Sequence, residues 1–271
     1  MQEMRTRAAC GAGLLDSEAA DRIAAAVLGL RDNCGGFRGL NGEPDVYYSL
    51  FATFILEALQ REFDDQALLR WVADEYAGLS GVERVCAELI LARQGKRAAG
   101  VSRSRWIQSA LFLGSSDSYK LFLSAFLLEL YAPRWMSRVL IRVAAQRVLK
   151  KRVGALDFNK FSTPGAIVRA LLAEEVGAIE VAETMWTLIG QRHRSSGGYV
   201  SAPNADADLL ATAVVLFGAV YAGKSVGVAT KHDRFFIEMC WQQDGFFSAA
   251  PDQSVGDIEH TYYGLLALGC C

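Results

Sequence analysis

The sequence carries no basic excess. Its formal net charge is −2 and its pI is near 6.0, which argues against a nucleic-acid binder. Its six cysteines, at 10, 34, 86, 240, 270 and 271, form neither a CxxC pair nor a disulfide framework. Free thiols in a reducing compartment are expected. Nowhere do the ~18 uncharged apolar residues of a membrane span run together. The first twenty residues also lack the unbroken apolar core of a signal peptide. P-loop, dinucleotide-binding, HExxH and GxSxG motifs are all missing, and the three histidines, at 193, 232 and 260, lie far apart. No strand-like alternation of useful length occurs, and no composition shift marks an interdomain linker. The expectation is a cytoplasmic protein without nucleic-acid partners.

Apolar mass is plentiful. Hydrophobic residues make up 52% and aromatics 10% of 271 residues, enough for a sizeable core and too much for disorder. One pattern organises the chain. Gly35-Gly36-Phe37 leads through Pro44 to Asp45 and the apolar run VYYSLFATFILEAL. Gly197-Gly198-Tyr199 leads through Pro203 to Asp208 and LLATAVVLFGAV. Gly245-Phe246-Phe247 leads through Pro251 to Asp257 and IEHTYYGLLAL. A fourth copy keeps only its second half, Asp117 followed by SYKLFLSAFLLELY. Self-similarity at a period near 45 residues marks a repeat architecture.

Periodicity then predicts helices in pairs. Residues 16–31 read as an amphipathic helix capped by Asp16 or Ser17, with Ile23, Ala26, Val27 and Leu30 on one face. Residues 45–60 read as a helix apolar on every side, which must be buried on every side. The alternation continues as 66–78 with 82–94, 103–113 with 117–131, 134–152 with 162–174, 177–192 with 208–222, and 229–243 with 257–270. The fold class expected is all-α, an α6/α6 toroid of six helical-hairpin repeats over residues 16–271, preceded by a loose lead-in at 1–15. An open solenoid needs polar capping repeats, whereas the last helix here is as apolar as the middle ones. That favours closure.

The repeats GGF…PDVYYSLFATFILEAL and GFFSAAPDQSVGDIEHTYYGLLAL resemble those of protein prenyltransferase β subunits, within the terpenoid-cyclase and prenyltransferase α/α toroid superfamily. The resemblance implies a zinc-dependent transferase acting on an isoprenyl substrate, with its chemistry at the starts of the inner helices. It assigns Asp208 and His260 as zinc ligands and catalytic residues. The family's third ligand, a cysteine, is replaced by Leu210, so the implied zinc site is incomplete, with Glu259 and Asp206 the nearest substitutes. The loop Val200–Ala207 lacks the family's diphosphate-binding cations. Lys120, three residues after Asp117 as His260 is after Asp257, is the candidate catalytic cation, and Arg38 is a second candidate in the first loop. Class II terpene cyclases use a DxDD acid, and Asp206-Ala207-Asp208-Leu209 is only DxDL.

Tyr47, Tyr48, Phe51, Tyr119, Phe122, Tyr262 and Tyr263 stand at inner-helix positions where they would line an apolar cavity or fill it as core. The recurring Asp has a second explanation as a helix cap. The segment 134–152 carries seven basic residues and no acid; it suits a solvated face, a partner subunit or an anionic membrane surface. Two function classes fit: an isoprenoid- or lipid-handling enzyme with an altered catalytic centre, and a non-catalytic binding or scaffold protein that kept the toroid and lost the metal. A terpene-cyclase-like enzyme is the third reading.

Overall fold

The computed structural model describes residues 2–92, 161–224 and 231–271. The expected helices 103–113, 117–131 and 134–152, with Asp117, Tyr119, Lys120 and Phe122, lie outside the described residues. Those residues form ten helices and six two-residue strands. The chain is mostly helical, and no helix among the described residues is long and apolar enough to cross a membrane.

Amphipathic and apolar helices alternate. Helix α2 (Ser17–Gly29) starts at Asp16, whose carboxylate accepts the Ala19 N–H at 2.7 Å. It buries one stripe: Ile23, Ala24 and Val27. Helix α3 (Val46–Ala58) buries residues around its whole circumference, among them Leu50, Phe51, Ile55 and Leu56. Each such side chain contributes about 1.5–3 kcal/mol relative to exposure, and together they fix α3 as an interior element. Helices α4 (Gln66–Glu75) and α5 (Gly81–Ala92) repeat the contrast, three buried residues against six. So do α6 (Thr163–Glu175) and α7 (Ile179–Gly190), then α8 (Leu209–Ala222), and last α9 (Lys231–Met239) with α10 (Ile258–Leu268).

The interior helices pack as neighbours in the order α6, α8, α10, α3, α5. The order runs through both ends of the sequence: the last apolar helix lies against the first. An outer contact repeats this seam. Gly245, with φ +93°, lies so close to α2 that a Cβ there would be 2.7 Å from the Arg22 carbonyl oxygen. The last glycine turn therefore docks on the first outer helix.

The expected loose lead-in is instead helix α1 (Gln2–Ala12), packed on α10 and α3. Met4 and Ala8 are buried, and Arg5 pairs with Glu57 near the end of α3. Where α1 meets the end of α10, a Cβ on Gly269 would overlap the Arg7 carbonyl and one on Gly11 would overlap that of Leu265. Backbone meets backbone there. The helix has no strong apolar stripe because its contact is made through small residues, which is why periodicity does not find it.

Candidate functional site

Three turns with one hydrogen-bond pattern set the starts of α3, α8 and α10. In the first, β1 (Phe37–Arg38) pairs antiparallel with β2 (Pro44–Asp45). Strands β3 (Tyr199–Val200) with β4 (Ala207–Asp208), and β5 (Phe247–Ser248) with β6 (Gly256–Asp257), repeat it. Each second strand ends on the aspartate that caps the following helix. Asp45 Oδ1 accepts the Tyr47 and Tyr48 N–H groups at 2.7 and 3.1 Å. Asp208 Oδ1 accepts that of Ala211 at 2.6 Å, and Asp257 Oδ1 that of His260 at 2.8 Å. Capping thus accounts for the recurring Asp.

Four residues after each aspartate stands a buried hydroxyl. Ser49, Thr212 and Thr261 each donate to the capping residue's carbonyl, at 2.7, 2.7 and 2.6 Å. Each also accepts the N–H of the turn aromatic, from Phe37 and Tyr199 at 2.9 Å and from Phe247 at 3.0 Å. Ser49, Thr212 and Thr261 stand in register in the sequence, a signal the sequence reading missed.

The third copy adds chemistry. His260 Nδ1 lies 2.8 Å from Asp257 Oδ2, so the carboxylate that caps the helix also holds the ring. One residue earlier, Glu259 Oε1 accepts the Tyr47 hydroxyl at 2.5 Å, joining α10 to α3 across the seam. Burial on its own would lower the His260 pKa. The hydrogen bond that its Nδ1–H donates to Asp257 and the charges of Asp257, Glu259 and Asp208 outweigh it, and the pKa is raised above the ordinary histidine value. Burial raises Glu259 above its ordinary 4.5, against the lowering effect of Tyr47 and His260. Burial likewise raises Asp208, only partly offset by bonds from Ala211 and Ser201 and by His260. The Tyr48 hydroxyl is pushed up by burial and by the charges of Asp257, Glu259 and Asp45. The charges of Asp257, Glu259 and Asp208 thus all act on His260, and the three carboxylates are half-buried.

Other expected site residues lie elsewhere or play other parts. Arg38 turns its guanidinium away to the end of α2, where Nη2 donates to the Gly29 carbonyl at 2.9 Å. Phe51 and Tyr262 are buried in the core, their ring centroids 5.3 Å apart. Phe51 also packs on Tyr47 at 4.9 Å and Tyr263 at 5.8 Å. Tyr47 and Tyr48 are half-buried at the site itself. Tyr119 and Lys120 lie outside the described residues.

The donors do not complete a zinc site. Leu210 is a half-buried apolar side chain that cannot coordinate. Asp208 and Asp257 spend oxygens on helix caps, and Asp206 is exposed. Among the described residues no group of three His, Cys, Asp or Glu side chains is placed to hold a metal ion. What the arrangement can do is move protons. A carboxylate on Nδ1 fixes the imidazole orientation and leaves Nε2 as its working atom, with the Glu259 carboxyl beside it as a second titrating group.

Comparison of the sequence with protein-family models finds no match, and comparison with curated proteins finds none either.

Proposed function

We propose that the chain is an α6/α6-toroid enzyme, similar in architecture to prenyltransferase β subunits, that holds an apolar isoprenoid- or lipid-type ligand and acts on it by proton transfer. The observation that carries this reading is the Asp257–His260 pair beside the Glu259–Tyr47 pair, at the starts of two adjacent apolar helices, α10 and α3. The packing of the last helix and last glycine turn on the first repeat supports the closed ring.

The electrostatics favour a particular division of labour. Asp45, Asp208, Asp257 and Glu259 surround His260 and Tyr48. Carboxylates at this density repel a diphosphate, which needs charge-assisted donors to leave water. They stabilise positive charge instead, as do aromatic faces. An apolar substrate on which positive charge develops suits such a site. His260, held through Nδ1 and made more basic by its carboxylate neighbours, would take a proton from it at Nε2. Zinc has no role in this account, and a partner subunit or membrane surface docking on 134–152 is compatible with it.

A non-catalytic scaffold is the second reading, and the mutual packing of Phe51, Phe54, Tyr262 and Tyr263 favours it, because these rings fill space that a ligand would need. Native mass spectrometry of the full-length protein, purified without a histidine tag, separates the two. The enzyme reading predicts a bound apolar molecule in the wild type and in His260→Asn, in chemically different forms, because binding survives the substitution and turnover does not. Ligand-free protein in both cases overturns it in favour of the scaffold.

A further inference from the structure

Arg192 follows helix α7 and is locked by its backbone: its N–H donates to the Ile189 carbonyl at 3.0 Å, and its carbonyl accepts the Val200 N–H at 3.1 Å. The residue is 4% exposed. Its guanidinium reaches the first turn of α6, where Nη1 donates to Thr163 Oγ1 at 3.0 Å. The other two nitrogens, Nε and Nη2, are buried and have no hydrogen-bond partner among the described residues. Burial lowers the pKa of this group below the ordinary arginine range, and no acid among the described residues offsets it. An arginine stays charged in any folded protein, so a buried cation here keeps two unused donors.

The surroundings are those of an anion site. Helix α6 is 13 residues long and directs its positive dipole end at this point. Its first-turn N–H groups are already in use: Thr163 donates to the Ser201 carbonyl at 2.7 Å, Gly165 to Ser162 Oγ at 3.3 Å and Ala166 to the Ser162 carbonyl at 2.9 Å. The helix therefore supplies field, and the guanidinium supplies donors. A second guanidinium, that of Arg169, lies against the same turn, with Nη1 3.0 Å from the Gly165 carbonyl and its carbon 4.0 Å above the Phe161 ring.

We propose that Arg192 and the first turn of α6 form a binding site for a single oxyanion group, a phosphate or a carboxylate. The adjacent Nε and Nη2 donors match two oxygens of either group in a bidentate fork. Ser201 connects the place to the site above: its carbonyl holds Thr163, and it hydrogen-bonds Asp208. The assignment goes beyond the apolar-substrate proposal and does not rest on it, because binding is read without turnover and without any isoprenoid.

The test uses the full-length protein and inorganic phosphate or acetate as probes, at constant ionic strength. Thermal melting and phosphorus NMR line broadening follow the titrations. The wild type is expected to show a saturable rise in melting temperature with phosphate, acetate or both; which one binds names the source. Arg192→Met removes the charge and keeps the bulk, and is expected to lose the saturable effect while retaining the general salt stabilisation. Arg192→Lys keeps the charge and loses the fork, and is expected to bind roughly tenfold more weakly. Equal titrations in wild type and Arg192→Met overturn the proposal. So does a wild type that saturates with neither probe, a result that needs no variant to fold.

Discussion

Glu259 carries a charge that its surroundings only partly accommodate. Burial raises its pKa more than the Tyr47 hydrogen bond and His260 lower it, and Asp257 adds to the rise. A folded-state pKa above the unfolded value gives stability that is fully present below about 4.5 and lost as pH rises through the folded value. Glu259→Gln keeps an acceptor for Tyr47 and removes the ionisation. It is expected to melt a few degrees above wild type at pH 8, with the gap closing towards pH 4; circular dichroism melts at both values check this, and an equal shift at both contradicts it. His260 and Asp208 were legible in the sequence, because the repeat aligns them with a known pattern. The working partners were not. Tyr47 stands 212 positions from Glu259, and the packing of α10 on α3 brings the two together. Arg192 was invisible for a different reason. In the polar run from Gln191 to Ser196 it reads as one more solvated charge, and nothing in its neighbours announces that it is buried.

At the level of elements, the buried hydroxyl four residues after each capping aspartate ties a strand pair to its helix. Thr261 is fully buried and serves both the Asp257 carbonyl and the Phe247 N–H. Thr261→Val keeps the shape and leaves the N–H of Phe247 unsatisfied, an expected cost of about 1–3 kcal/mol in urea unfolding. Thr212→Val is expected to cost a similar amount, and losses below about 0.5 kcal/mol in both would show that the bonds are incidental. The helices were legible because apolar and amphipathic segments alternate, and the described helices begin and end within a few residues of the expected bounds. The strands were not, since two residues are too few to display an alternating pattern. Helix α1 escaped for want of large apolar side chains, its docking resting on Gly11, Gly269 and a few buried residues.

For the whole molecule, the repeat order and the apolar final helix pointed to a ring; among the described residues α10 packs on α3, Gly245 on α2, and α1 across both α10 and α3. The candidate site is a product of that seam. Its histidine and the carboxylates of Asp208, Asp257 and Glu259 come from the starts of α8 and α10, and Asp45 and the tyrosines from the start of α3, so no fragment lacking either end contains it. This is the central claim, and a double-mutant cycle tests it most directly. Tyr47→Phe and Glu259→Leu each remove the hydrogen bond between these two side chains, which crosses from the first repeat to the last. Urea unfolding of the wild type, the two single variants and the double variant is predicted to give a coupling energy of about 1–2 kcal/mol. Effects that add within about 0.3 kcal/mol would mean that the two ends of the chain do not meet at this site.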